Sequence, residues 1–284
     1  MSKGSYEAWL ELALIKEVSL EAKLIWLRAF GSPAAVLAQP VAELRKHSEE
    51  AGPLRGRVED GVIEAVAAWT KQTGGTCVFL GEAGYPRRVL ERFANAPLAL
   101  FARGDLGLLE ERAVAFAGAS APTPDAALLA RTLALEAGRE GLAVAAGVSP
   151  GIAQAALQGA LTAPGPCVGV VGGAAAWDSV RLGDEILAGG GLLLGEIAPR
   201  APAPRQGYAR RHRLLAALAD LLLVVEAPLG CDTLKLAADA ADVGCEVAAV
   251  PHSPSNPAGR GCNQLLRDGA SLVENAKDIQ VLLP

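Results

Sequence analysis

Cysteine is scarce in this sequence, and its placement argues against two kinds of site. The five cysteines are widely separated, odd in number and never arranged as C-x-x-C; they are Cys77, Cys167, Cys231, Cys245 and Cys262. Such spacing indicates neither a zinc site nor a disulfide framework. We therefore expect no metal site, and we expect most of the cysteines to be small buried apolar residues.

Long apolar segments are also lacking. The stretch from Leu214 to Val225 is interrupted by Asp220 and is too short to cross a bilayer. The first residues include acidic side chains and no continuous apolar run, so no signal peptide is expected. The sequence thus predicts a cytoplasmic protein without membrane contact.

Aromatic residues make up only 4% of the chain, although apolar residues of all kinds reach 51%. Alanine supplies much of that fraction, which favours helices packed on Val- and Leu-rich strands over an all-β fold. A length of 284 residues suits one large domain and one small domain. The net charge of −5 argues mildly against wholesale coating of nucleic acid, although local basic patches decide binding.

The first 72 residues have the pattern of a small helical domain. Leucine and aromatic residues recur there at helical spacing, and Gly31-Ser32-Pro33 combines a helix stop with a new helix start at Ser32. We expect a helical domain of the SAM or helix-hairpin-helix kind over residues 1–72. A second domain is expected over residues 76–284.

From Thr76 onward, short apolar runs alternate with helical segments. Strands are predicted at 77–80, 98–101, 113–117, 142–146, 167–171, 192–194, 221–225 and 246–250. Helices are predicted at 124–140, 151–162, 178–188 and 232–243. Apolar strands joined by helices indicate a sheet covered on both faces. The predicted fold is α/β, a doubly wound, mainly parallel Rossmann-like sheet preceded by the small all-helical domain.

Glycines follow the predicted strands at the edge where doubly wound sheets bind ligands. They are Gly118, Gly147, Gly151 and Gly172. Glycine lets the backbone approach an anion closely, and helix starts attract anions, so this edge suits phosphate groups. A strand-to-helix turn also needs glycine without any ligand, and both explanations stay open. No dinucleotide fingerprint and no P-loop motif is present.

A basic segment at residues 199–213 contains five arginines and a histidine but no carboxylate. Clustered guanidinium groups pair well with phosphate, and Tyr208 is suited to stack on a base. The alternative is a solvated loop in which Arg213 pairs with Glu226 or Asp220.

Several segments together resemble one family, the bacterial DNA-processing protein A (Smf) proteins. The resemblance extends over residues 76–284 in the family's order and spacing. It is carried by Tyr85-Pro86, by residues 96–104 (APLALFARG), 147–152 (GVSPGI) with 159–161 (GAL), 208–213 (YARRHR) and 224–227 (VVEA), and by 261–270 (GCNQLLRDGA).

The resemblance implies a protein that binds single-stranded DNA in a basic pocket, forms a homodimer through its Rossmann-like domain and loads RecA onto DNA during natural transformation and recombination. It implies no catalytic activity and no cofactor, and a C-terminal winged-helix domain is expected to be absent. The residues expected to contact DNA or phosphate are Gly118, Ser120, Gly147, Gly151, Arg205, Tyr208, Arg210, Arg211, Arg213, Thr233 and Lys235.

The sequence departs from the family pattern mainly at this edge. The turn at 117–120 lacks the family's arginine, Ala153 and Leu157 replace an aspartate and a histidine, and His212 replaces an asparagine. Asp232 stands at a helix start, where we expect it to be the N-cap and to repel phosphate. Phosphate binding is therefore expected to depend on the arginine segment more than on the turns.

Two other functions stay open. The chain is alternatively a diverged homologue that no longer binds DNA tightly and acts as a protein-interaction partner, of RecA or of another homologue. It is otherwise a nucleotide-processing enzyme resembling the phosphoribohydrolases of similar fold. Those enzymes carry a P-G-G-x-G-T-x-x-E motif, which does not follow Gly172-Gly173. Glu196 and Glu226 are then lone carboxylates, and Glu226 is expected to pair with an arginine.

Overall fold

The computed structural model describes residues 3–50, 54, 58, 61–163, 165–177, 181–200 and 207–283. Among these described residues, five helices precede the first strand: α1 (Lys3–Leu14), α2 (Leu20–Phe30), α3 (Pro33–Leu37), α4 (Val41–Arg45) and α5 (Val62–Thr73). Ser32 caps α3, as its sequence context predicted, because its side chain accepts a hydrogen bond from the Ala35 amide. No helix in these described ranges is long and apolar enough to cross a membrane.

The amino-terminal helices have a core of their own around the fully buried Trp26, whose Nε1 donates to the Leu44 carbonyl at 3.1 Å. Lys23 is buried as well, and its ammonium group donates to the Ala13 and Ile15 carbonyls at the end of α1. These contacts tie α2 to α1 and α4.

The second part of the chain is built on one nine-stranded sheet. Its strands are β1 (Thr76–Phe79), β2 (Ala99–Gly104), β3 (Ala113–Ala117), β4 (Ala143–Gly147), β5 (Cys167–Val170), β6 (Leu192–Gly195), β7 (Leu221–Val224), β8 (Glu246–Ala249) and β9 (Ser271–Leu272). The order is β1-β2-β6-β5-β4-β3-β7-β8-β9. Six neighbouring pairs, from β6 to β9, are parallel, whereas β2 pairs antiparallel with both β1 and β6. The predicted α/β fold is confirmed.

In the part of the chain that the structure describes, eight α-helices accompany the sheet. They are α6 (Arg87–Arg92), α7 (Pro124–Arg139), α8 (Ile152–Ala160), α9 (Arg181–Ala188), α10 (Gly207–Leu218), α11 (Asp232–Asp242), α12 (Arg260–Arg267) and α13 (Ala276–Leu282). One core joins the sheet to α7, α8, α9 and α13 and also contains Leu10 of α1 and Trp69 of α5, and a second core joins the opposite face to α6, α10, α11 and α12. The first three residues of the helix predicted at 178–188 lie outside the described residues.

Strand β3 shows how the sequence builds both cores. Val114 and Phe116 belong to one core, and Ala115 and Ala117 belong to the other, because successive side chains of a strand point to opposite faces. The chain leaves β3 toward α7 on one face and leaves the adjacent β7 toward α11 on the other. The carboxyl ends of β3 and β7 therefore form the switch point at which doubly wound sheets bind ligands.

Candidate functional site

A cavity of about 590 Å³ opens at this switch point. Its walls are the turn after β3, the turn after β4, the loop between β7 and α11, and the first half of α10. Gly118, Ser120, Gly147, Arg211 and Thr233, all expected from the sequence, line it. Residues from four separate segments thus meet at one place.

The side chain of Arg211 lies across two of the strand-end glycines. A Cβ atom added to Gly147 would stand 2.9 Å from the Arg211 Nε, and one added to Gly172 would stand 3.1 Å from its Cδ. Any larger residue at either position would therefore displace the arginine. These glycines make room for a guanidinium group that contributes its positive charge to the cavity.

The other two glycines permit close packing of backbone. A Cβ on Gly118 would stand 2.6 Å from both the Glu226 carbonyl oxygen and the Ile152 Cγ1. Gly151 has φ of 94° and ψ of −143°, and its Cβ would stand 2.2 Å from the Ala119 carbonyl oxygen. The sequence left open whether these glycines serve a phosphate site or only the strand-to-helix turn. For Gly118 and Gly151, the packing of the turn alone is a sufficient explanation.

This difference predicts unequal effects of two similar substitutions. Gly151→Ala is expected to lower the free energy of unfolding by about 3 kcal/mol or more, since it combines a strained φ with a backbone clash. Gly147→Ala is expected to cost less than about 1 kcal/mol, because its φ is not in the left-handed region and the Arg211 side chain can move. Urea unfolding measures both values, and equal losses would contradict the roles assigned to these glycines.

The start of α7 is already satisfied by a buried carboxylate. Thr123 caps this helix, and its amide and hydroxyl donate to Glu226 at 2.9 and 2.7 Å. Glu226 is fully buried. The expectation that Glu226 pairs with an arginine was wrong, because the carboxylate is directed to the first turn of α7 instead. An anion bound at this helix start would meet a negative charge.

The start of α11 also carries a carboxylate, but its cap differs from the prediction. Cys231 is the N-cap, and Asp232 is the first helical residue, whose side chain accepts no capping hydrogen bond. The Asp232 carboxylate is 69% exposed and pairs with Lys235 at 3.2 Å. Thr233 is buried, and its hydroxyl donates to the Gly118 carbonyl at 3.3 Å. Thr233 therefore joins α11 to the turn after β3, and Asp232 places a carboxylate at the helix start with Lys235 beside it.

The start of α8 differs from both. Its N-cap is Gly151, no side chain caps it, and its first turn contains no acidic residue. Ser149 and Pro150, which precede it, line the cavity with Ala153. The positive end of the α8 dipole therefore faces the cavity without a carboxylate of its own.

The arginines of α10 are in different environments. Arg213 is half-buried and contacts Glu196 with two nitrogens, Nη2 at 2.9 Å and Nε at 3.0 Å. Its guanidinium also donates to the Asn95 carbonyl and lies 5.5 Å from the centre of the Phe93 ring. Arg210 is 44% exposed and stands 3.6 Å from the same carboxylate. Glu196, which directly follows β6, thus fixes Arg213 and borders Arg210.

Glu226 and Asp220, the carboxylates suggested as partners for Arg213, contact other residues. Asp220, at the end of α10, pairs with Arg88 at 2.7 Å and accepts from the Ala113 amide at 2.9 Å. Arg92 lies 3.8 Å from Asp220 and donates to carbonyls in the last turn of α10 and just beyond it. The prediction that Arg213 pairs with Glu226 or Asp220 was wrong, and α10 is held at both ends.

His212 also lines the cavity, although the sequence singled it out only as a replaced asparagine. Burial, followed by the neighbouring Arg211, lowers the pKa of His212 below its usual value. Asp232 and Asp239 act in the opposite direction. The imidazole is therefore neutral at physiological pH. Arg205 and the side chain of Tyr208 lie outside the described residues.

Known proteins are similar to this chain in sequence. The sequence profile described as DNA recombination-mediator protein A matches residues 76–284. The DNA processing protein DprA of Bacillus subtilis is 27% identical over 269 residues, covering 92% of this chain and 89% of the relative. A putative DprA of Mycobacterium tuberculosis is 37% identical over 192 residues, covering 65% of this chain. This chain spans about half of that relative, 49%.

The fold of this chain resembles the folds of solved structures. DNA processing protein A from Streptococcus pneumoniae superposes with a TM-score of 0.80 and 21% identity, covering 96% of this chain and 97% of the other. DNA processing protein A from Helicobacter pylori, described for its mode of binding single-stranded DNA, superposes with a TM-score of 0.65 and 24% identity. That match covers 75% of this chain and 97% of the other.

Proposed function

Because the chain belongs to the DNA recombination-mediator protein A family, the DprA and Smf proteins, we propose that it binds single-stranded DNA at the switch-point cavity. The observation that carries this proposal is Arg211, whose charge is placed in the cavity by Gly147 and Gly172. Arginine at a glycine-lined edge is well matched to phosphate oxygens, because its planar fork makes two parallel hydrogen bonds.

The phosphate path follows from the charges at the cavity. Glu226 and Asp232 place negative charge at the starts of α7 and α11, so the backbone of DNA is directed away from both. The uncapped start of α8 and the side chain of Arg211 then form the attractive wall, and the exposed Arg210 adds charge from the preceding position of α10. Arg213, which is neutralised by Glu196, positions the start of α10 instead of contacting DNA.

A single strand fits this site better than a duplex. The guanidinium nitrogens of Arg211 lie close to Gly147 and Gly172. They are inside a crevice between α10 and the turns after β4 and β5. A flexible strand can direct one phosphate and one base into such a crevice, whereas paired bases are held in the stack of the duplex.

The proposal predicts salt-dependent binding. Anisotropy of a labelled oligonucleotide, titrated at several salt concentrations, should give a log–log slope of about −2, since each of about three phosphate contacts contributes roughly −0.7 on single strands. A duplex of the same sequence should bind at least about tenfold more weakly. Failure to bind single strands even at low salt would contradict the proposal.

We extend the proposal to recombination. The protein would act as a binding protein in the cytoplasm, form a homodimer and assist natural transformation by loading RecA onto the bound strand. Sedimentation tests the dimer, and the lag before RecA filaments grow on single-stranded DNA tests the loading. An unchanged lag would remove the RecA role while leaving DNA binding intact.

One set of observations favours a second function. Asp232 lines the cavity, Glu226 is buried at the adjacent start of α7, and the net charge of the chain is −5. A diverged homologue that acts as a protein-interaction partner would show these features too. The salt titration separates the two functions, because such a partner would show a stable fold and no DNA binding. A nucleotide-processing activity is less well supported, since Glu196 and Glu226 are engaged by arginine and threonine.

DNA binding should become tighter as pH falls. The lowered pKa of His212 leaves its imidazole neutral in the free protein, and a bound phosphate would raise that pKa, so binding takes up a proton. Affinity is then expected to rise between about pH 7.5 and pH 6, within the range where histidine titrates. The free protein should lose stability as the pH falls below about 6.5, because the unfolded histidine binds protons before the folded one, whose pKa is lowered.

The matched variant for this test is His212→Asn, which keeps a polar side chain but does not titrate. Its dissociation constant should change less with pH than that of the unmodified protein, measured by anisotropy in buffers of equal ionic strength. The same pH dependence in both proteins would show that another group takes up the proton.

A further inference from the structure

We propose that Asp232 selects the base held in the switch-point cavity, favouring bases that carry an amino group over thymine and uracil. This inference rests on the proposed binding of single-stranded DNA. It assigns a role to a carboxylate that phosphate binding leaves unexplained.

Part of the cavity wall suits the face of a base. Ala119, Ala121, Pro150 and Pro228 line it with small apolar surfaces. Leu229, in the loop next to Pro228, is 56% exposed, although leucine usually finds partial cover in a folded protein. An apolar wall with few polar groups is the usual environment for a flat ring, and the polar groups present fix its orientation.

Asp232 is placed to be such a polar group. Its carboxylate begins α11, lines the cavity and is held only by the exposed Lys235 among the contacts described, at 3.2 Å. An exposed pair of this kind contributes little, so a ligand can replace it at low cost. A carboxylate accepts hydrogen bonds and offers no donor.

The two charged walls then orient one nucleotide. Arg211 and Asp232 line the same cavity, and both influence His212 between them. Phosphate is attracted to the arginine and repelled by the carboxylate, so the sugar-phosphate backbone lies toward α10 and the base lies toward α11. The edge of the base that meets Asp232 must supply a donor.

Bases differ in what they offer to a carboxylate. Cytosine presents the N4 amino group, which Asp and Glu accept in other nucleic-acid complexes. Thymine and uracil present the O4 carbonyl at the same position, so two acceptors would face each other. A base that cannot donate a hydrogen bond to the carboxylate loses a charge-assisted hydrogen bond. We expect this loss to weaken binding roughly tenfold.

The test compares oligomers of about 15 nucleotides made of deoxycytidine or deoxyuridine, which differ in the group at position 4 of the base and in the hydrogen on N3. The unmodified protein should bind oligo-dC about tenfold more tightly than oligo-dU near neutral pH. Asp232→Asn should bring the ratio within about twofold, because an amide offers both a donor and an acceptor. The control is Asp242→Asn, which removes the same charge from the other end of α11 and should leave the ratio unchanged.

Each other outcome has a distinct meaning. Equal affinity of the unmodified protein for both oligomers would overturn the selection by Asp232 and leave DNA binding in place. An equal gain for both oligomers in Asp232→Asn would also overturn it, since the carboxylate would then only repel phosphate. No binding of either oligomer by the unmodified protein would instead contradict the proposed function.

Discussion

Replacing Arg210 and Arg211 together by alanine should weaken binding of single-stranded DNA about a hundredfold while the fold persists. Arg211 lies over Gly147 and Gly172 in the cavity, and Arg210 is the more exposed residue that precedes it in α10. Each charge-assisted hydrogen bond to phosphate contributes about 1.5 kcal/mol, which is roughly tenfold. The slope of log affinity against log salt should flatten by about 1.4, because each lost contact on a single strand removes about 0.7.

The matched control removes the same charge elsewhere. Arg131 and Arg139 are exposed on α7, away from the residues that line the cavity. The double variant Arg131→Ala, Arg139→Ala should change affinity by less than about threefold, through the long-range field alone. If both double variants lose the same affinity, binding depends on net charge and the cavity is not the site.

Replacing Glu196 by glutamine should lower the free energy of unfolding by about 3 kcal/mol. The carboxylate is 10% exposed and contacts Arg213 at 2.9 and 3.0 Å, so the variant leaves a half-buried guanidinium without its counter-charge. Breaking one partner of a buried pair typically costs about 3–5 kcal/mol, and we take the low end because Arg213 keeps some solvent contact. In a domain of this size the melting temperature should fall by about 6–10 °C.

A second substitution shows whether the uncompensated charge is the cause. Arg213→Met in the Glu196→Gln background removes the cation and keeps an extended apolar side chain against Phe93. About half or more of the lost stability should return, since replacing both partners is far less costly than removing one. If the double variant is less stable than Glu196→Gln, packing of Arg213 dominates over its charge.

The fold was largely readable from the sequence because its strands are short apolar runs bounded by glycine and proline. Strand β3 was predicted with its observed bounds, 113–117, and the other parallel strands up to β8 within one residue of theirs. Strand β9 was missed, since Ser271–Leu272 is only two residues long and has no alternating pattern. The antiparallel direction of β1 and β2 was not predicted either, because it depends on where the chain re-enters the sheet.

The site was only partly readable. The position of the arginine cluster beside the strand ends follows from topology, and the cavity contains Arg211 as expected. The choice of Glu196 for Arg213 depends on three-dimensional proximity of the end of β6 to α10, which periodicity does not encode. One signal was available: Glu196 directly follows a predicted strand, so it had to reach the same edge as the arginines.

The fit of Arg211 onto Gly147 and Gly172 also constrains how this surface changes over evolution. The three positions form one steric unit, so a related chain that loses the arginine no longer needs glycine at either strand end. A chain that gains bulk at one of these ends must shorten or redirect the side chain at the arginine position. Substitutions at 147, 172 and 211 should therefore be inherited as a set, whereas position 151 stays glycine independently because its backbone conformation requires it.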